Sequence, residues 1–91
     1  MRITWDPVKA VENLRDHRVD LALGASVLDD PFAIRIEDPT HEEPRFLALG
    51  AILSGQILVV VYTYEDDDTL RLISAREASR AERRRYADEP R

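Results

Sequence analysis

The apolar residues of this chain change their spacing at Phe32 and change it back after Ala75. Phe32, Ile34 and Ile36 alternate with Ala33, Arg35 and Glu37, the two-residue period of a half-buried strand. A polar stretch, Asp38–Pro44, reads as a loop. Alternation resumes over Arg45–Ile52 through Phe46, Leu49 and Ala51, and Ser54-Gly55 then signals a turn. Gln56–Tyr64 is apolar nearly throughout and rich in Val and Ile, as a central strand requires. Glu65–Asp68 makes a hairpin tip, beyond which Leu70, Leu72 and Ser74 alternate with Arg71, Ile73 and Ala75.

The flanks follow helical rules. Asp6 can cap free backbone N–H groups, and Pro7 at a first helical position loses no hydrogen bond. The helix predicted over Pro7–His17 places Val8, Val11 and Leu14 on or near one side and a polar line, Lys9, Asn13 and His17, on another. Asp20 introduces a second helix, Leu21–Leu28, which Asp29-Asp30-Pro31 ends. Met1–Trp5 suits a short edge strand, Glu77–Tyr86 returns to good helix formers, and Asp88–Arg91 reads as frayed. Helices and strands that do not alternate one by one indicate an α+β fold. The expectation is an antiparallel sheet of about four main strands, with two N-terminal helices and one C-terminal helix.

Ninety-one residues leave room for one domain, residues 1–91, and one small core. With no cysteine, disulfides, thiolate zinc sites and cysteine nucleophiles are excluded together. The longest strictly apolar run, Ile57–Val61, is far short of the ~20 residues that cross a bilayer. Asp6 and Lys9 occupy the place of a signal peptide's apolar stretch, so the expected location is cytoplasmic, away from membranes. Gly24, Gly50 and Gly55 stand singly, which excludes a glycine-rich phosphate loop. His17 and His41 lack metal-ligand spacing and no serine sits in a glycine-flanked elbow, so neither a metal nor another cofactor is expected.

The formal charge of −5 argues against indiscriminate nucleic-acid binding. Its distribution says more. Residues 71–91 hold seven arginines against four acids, whereas residues 1–70 hold six basic and fourteen acidic residues. A basic C-terminal segment sits on an acidic body, which suits either a polyanion site or a solvated helix.

Arg71 and Arg76 flank the end of the last strand, Arg45 starts another, and His17 and Lys9 lie on the first helix. Metal-free RNA cleavage needs little beyond such groups. The 2′-hydroxyl must lose its proton, the phosphorane's extra charge must be neutralised, and the departing 5′-oxygen must gain a proton. A planar guanidinium grips two phosphate oxygens at once. Each residue also has a structural reading. The arginines can pair with acids of the body, and His17 suits the C-terminal end of its helix. Trp5 reads as a core anchor in preference to a base-stacking platform. Arg80 continues a helical stripe with Arg76, Arg83 and Arg84 that can contact phosphates, or can form a soluble face with Glu77 and Glu82 in local ion pairs.

These motifs occur together in a known order. Trp5-Asp6-Pro7 with Lys9, Asn13 and His17, then Asp29-Asp30-Pro31, Arg45, Gly50, Val59–Val61, Leu70–Arg76 and Glu82–Tyr86 resemble the BrnT family of type II toxin–antitoxin toxins. The resemblance implies a RelE-like fold and a ribonuclease that stops translation and growth. It implies a BrnA-like ribbon-helix-helix antitoxin as partner, RNA as substrate, and operator DNA touched only through the antitoxin complex. The family's basic and polar positions fall on Lys9, His17, Glu43, Arg45, Arg71 and Arg76. Phosphate stabilisation would go to Arg71 and Arg76 with Arg45 in support, proton transfer to His17 or Glu43, and substrate binding to Lys9 and Arg80. Two departures stand out: Arg18 follows the histidine where the family usually has glycine, and the 65–68 hairpin carries acids where it usually has an arginine. The acidic hairpin motivates an alternative, a catalytically silent homologue that only binds antitoxin or another partner.

Overall fold

The computed structural model describes residues 1–90. Its elements are β1 (Arg2–Thr4), α1 (Pro7–His17), α2 (Leu21–Ala25) continued by a 3-10 turn (Ser26–Asp29), β2 (Ile34–Asp38), β3 (Arg45–Ala51), β4 (Ile57–Asp66), β5 (Thr69–Glu77) and α3 (Arg80–Asp88). The fold is α+β, with three α-helices around a five-stranded sheet of order β1-β5-β4-β3-β2.

The sheet corrects the four-stranded antiparallel expectation. β1 adds a fifth strand and runs parallel to β5, pairing Arg2–Thr4 with Thr69–Arg71, so the sheet is mixed. Three residues are too few to display a period, which is why the sequence pattern leaves this strand's partner and direction open.

Beyond Arg71 the β5 edge has no strand beside it, and α1 takes over. The Asn13 amide Nδ2 donates to the carbonyls of Ala75 and Val19, both at 2.8 Å, while its Oδ1 accepts the Ala75 N–H at 3.0 Å. A side-chain amide thus replaces a neighbouring strand, and Asn13 is buried. Val8, Val11 and Leu14 face solvent instead, at 62%, 69% and 51% exposure. A helix laid along a bare strand edge must bring donors and acceptors to it, so Asn13 turns inward and the apolar stripe outward.

One sheet face carries the larger core. Leu58, Val60, Tyr62, Leu70, Leu72 and Ala75 pack with Val19, Leu21 and Val27, and Trp5 packs against this cluster as a core anchor. Gly24 lets α2 approach: a Cβ there would lie 2.8 Å from the Ala75 Cβ. On the opposite face Leu49 and Val59 pack with Ala78, and Tyr86 of α3 joins them.

Asp30 ties α3 to the rest of the fold. Its carboxylate accepts the N–H groups of Phe32 at 2.9 Å and Ala51 at 2.8 Å, and a short hydrogen bond from the Tyr86 hydroxyl. A Cβ at Gly50 would come within 3.1 Å of that carboxylate. Three separate sequence motifs, around Asp30, Gly50 and Tyr86, therefore meet in one cluster.

Boundaries moved for identifiable reasons. β5 continues to Glu77 and α3 begins only at Arg80, because Ser79 and Glu82 form a capping box. The second helix tightens into a 3-10 turn after Ala25, and β2 begins at Ile34. α3 stays helical through Asp88, and Arg91 of the expected frayed tail lies outside the described residues. Arg18 ends α1 in the left-handed conformation (φ 60°), its N–H donating to Leu14.

Candidate active site

A turn at Asp38 organises the loop that follows β2. Its carboxylate accepts the Thr40 hydroxyl at 2.7 Å and the Thr40 N–H at 3.0 Å, with the His41 imidazole at 3.5 Å. These bonds, the hydroxyl's first, hold the Asp38 carboxyl below its usual range. At the loop's far end the buried Thr63 hydroxyl donates to the Pro44 carbonyl at 2.5 Å. Pro44 is thereby fixed, with Glu43 and Arg45 on either side of it.

β5 supplies the arginines through an irregularity. In regular alternation Arg71 and Arg76, five residues apart, would point to opposite faces. A register shift leaves Ile73 without a cross-strand partner: Tyr62 pairs Leu72 while Val61 pairs Ser74. Arg71 then lies opposite Thr63 and Arg76 opposite Val59, positions of like parity on β4. Both arginines occupy the α3 face, but four β4 residues, about 13 Å, apart.

Asp6, Lys9, Glu43, Arg45, Arg71, Leu72 and Ile73 line a cleft of about 350 Å³. Lys9, Glu43, Arg45 and Arg71 are four of the sequence-predicted residues, drawn from α1, the 39–44 loop, β3 and β5. The Arg71 Nη2 donates to the Glu43 Oε1 at 2.7 Å, and both side chains are about half exposed. The Nε atoms of Arg45 and Arg71 are buried without a hydrogen-bond partner. Buried donors of this kind are uncommon and call for an acceptor. The Arg45 and Arg71 guanidiniums, each with an Nε–H that lacks a hydrogen-bond partner, and the Lys9 ammonium can receive a tetrahedral anion, and Glu43 is a carboxylate at the same point.

The other three candidates lie elsewhere. His17 lines an adjoining depression with Lys9, Glu12, Asn13, Asp16, Ile73 and Ser74, so Lys9 and Ile73 border both hollows. Arg76, expected at the phosphate beside Arg71, is outside the cleft and its fork is closed on Glu82, at 2.8 and 3.0 Å. Glu82 also accepts the Ser79 N–H at 2.8 Å. The Arg76 hydrogen bonds, with help from Ser79, pull the Glu82 carboxyl from 4.5 down to about 2, and Glu82 raises Arg76 in return. Arg80 is exposed at the first position of α3.

Sequence reasoning missed two contributors. Asp6, read only as a cap, also lines the cleft. Glu65, read as part of a repelling tip, accepts the Thr4 hydroxyl at 3.2 Å and stands 3.9 Å from the Arg71 Nε. The alternation Val61, Thr63, Glu65 on β4 was the available signal, because it points Glu65 to the face that carries Arg71. The rest of the tip turns elsewhere: Asp68 accepts the Arg2 N–H through its carbonyl and approaches the N-terminal ammonium to 4.0 Å. Among the described residues no cluster of three or more His, Cys, Asp or Glu side chains is arranged to hold a metal ion.

Residues 5–82 match the family model described as the ribonuclease toxin, BrnT, of type II toxin-antitoxin systems. The chain belongs to that family. All seven predicted site residues lie within the matched stretch. The crystal structure of the Brucella abortus ribonuclease toxin, BrnT, shares the fold with a TM-score of 0.68 and 29% identity, covering 88% of this chain and 99% of that one. No curated protein matches the chain. As a member of a type II toxin family, this BrnT chain has an antitoxin partner by class. Among the described residues no helix is long and apolar enough to cross a membrane.

Proposed function

We propose that this BrnT chain is a metal-independent, cytoplasmic endoribonuclease of RelE-like architecture that stops translation. In this reading a BrnA-like ribbon-helix-helix antitoxin neutralises it, and operator DNA is met only through that complex. The convergence of Lys9, Arg45, Arg71 and Glu43 on one cleft, with two buried guanidinium N–H groups lacking an acceptor, carries the reading.

A scissile phosphate entering the cleft displaces Glu43 from Arg71 and takes its place on the guanidinium fork. Glu43, now unpaired, accepts the 2′-hydroxyl proton as that oxygen attacks phosphorus. Arg71, Arg45 and Lys9 neutralise the charge gathering on the non-bridging oxygens. The P–O5′ bond breaks, leaving a 2′,3′-cyclic phosphate, and the departing oxygen takes a proton from His17 or from water. Arg76 has a positioning part, holding the β5–α3 junction through Glu82.

Purified protein incubated with RNA and excess chelator tests this directly. Cleavage to cyclic-phosphate ends, lost in Arg71→Ala, is the expected result; no cleavage by a folded, antitoxin-binding chain overturns it. That second outcome would favour the silent partner-binding homologue, to which the closing of Arg71 on Glu43 and its approach to Glu65 also lend weight.

A further inference from the structure

We infer that Arg80, Arg84 and Arg85 on the solvent face of α3 form a backbone-binding surface for single-stranded RNA, separate from the cleft and holding the strand that the cleft cuts. The inference rests on the ribonuclease reading above.

Four arginines fall within Arg80–Asp88, and the fold uses one of them. Arg83 donates to the Ala78 carbonyl at 2.8 Å, and the helix's Glu82 is already taken by Arg76 and the Ser79 cap. Arg80, Arg84 and Arg85 are exposed and make no ion pair or hydrogen bond with any described residue. Lys9, Arg15, Arg71 and Arg76 each have a carboxylate within 4.0 Å in the same acidic chain.

Of the three arginines, only Arg85, in the last turn, suits the helix dipole. Arg80 stands at its first position, the positive end of the dipole, where a cation is unfavourable. Arg80 and Arg84 are like charges at i and i+4, which repel on a helix surface. An arginine pair that opposes local stability and, like Arg85, has no partner among the described residues points to one outside the fold.

Its composition selects the partner. Beside the arginines this face offers Ala81, Ala87 and Asp88, with no aromatic or large aliphatic side chain. Protein interfaces are anchored by such side chains at their centre, whereas a phosphate backbone requires only charge. The path is also set. Arg71 and α3 share a sheet face, with the half-buried Val61 and Ser74 between Arg71 and Arg76. A strand gripped at Arg71 and led along β5 arrives at Arg80.

The test measures binding of a 2′-O-methyl RNA oligonucleotide by fluorescence anisotropy over a salt series. This probe lacks the hydroxyl needed for cleavage, so it reads binding whether or not the chain cuts. Losing two phosphate contacts in Arg80→Gln/Arg84→Gln makes the slope of log affinity against log salt shallower by about 1.4, with a several-fold weaker Kd at low salt. Arg15→Gln, which removes a charge from an exposed site on α1, leaves the slope unchanged. An unchanged slope in the double variant, or a wild-type chain that does not bind the probe, overturns the inference. So does a double variant that keeps its RNA affinity but loses antitoxin, since that assigns the face to a protein. Wild-type binding without cleavage of ordinary RNA defeats only the nuclease reading.

Discussion

Arg76 and Glu82 close on each other across the turn from β5 into α3, through two hydrogen bonds of 2.8 and 3.0 Å. The same carboxylate caps α3 by accepting the Ser79 N–H, so one acid joins strand, turn and helix.

That joint gives stability a definite pH dependence. The Glu82 carboxyl titrates near 2 when folded, against 4.5 ordinarily. A depressed value means the unfolded chain takes up the proton first. The contribution is therefore complete above pH 4.5 and is lost as pH falls toward 2. Allowing for solvent screening of this partly exposed pair, it is about 1–2 kcal/mol. Urea denaturation of wild type and Glu82→Gln should show a gap that is full at neutral pH and narrows through that acid window.

Arg71 and Arg76 should part company under substitution. Arg71→Ala should reduce RNA cleavage by about 10²–10³-fold, the usual cost of one charge-stabilising donor, with unfolding free energy shifted by less than about 1 kcal/mol. Arg76→Ala should cost about 1–2 kcal/mol of stability and lower cleavage less. Thermal melts run beside cleavage assays on both variants check the division.

Asn13→Ala removes the side-chain partner of the N–H and C=O of Ala75 and of the Val19 C=O. Three lost hydrogen bonds at a buried edge predict a loss of about 2–4 kcal/mol, measurable as a lower urea midpoint with unchanged m-value. Val11→Ser, on the outward side of the same helix, should change stability by less than about 0.5 kcal/mol.

Arg18 pays for its left-handed backbone, which only glycine adopts without strain. Arg18→Gly should raise stability by about 0.5–1 kcal/mol after the greater chain entropy of glycine is subtracted. A calorimetric melting temperature that falls would refute this.

Much of the architecture was legible because it repeats. β2 to β5 span enough residues for a two-residue period to show, and Asp6-Pro7 and Asp20 are unambiguous helix entrances. Ser79 and Glu82 carried a capping signature that competed with the helix-forming bias of Glu77 and Ala78 and was outweighed by it. β1 was illegible in direction, being three residues long. The inward face of α1 was hidden for a different reason: Val8, Val11 and Leu14 make an orthodox apolar stripe, and only the bare edge of β5 explains why Asn13 faces in. In the cleft, Lys9, Glu43, Arg45 and Arg71 came from residue type and resemblance. The separation of Arg76 from Arg71 depended on Ile73 having no cross-strand partner, which no local pattern announces.

Because β1 pairs with β5, the cleft takes Lys9 and Arg71 from segments 62 residues apart. Neither part can assemble it alone. A nascent polypeptide that has not yet completed β5 lacks the finished cleft, so whatever chemistry the cleft performs is withheld until both segments have emerged.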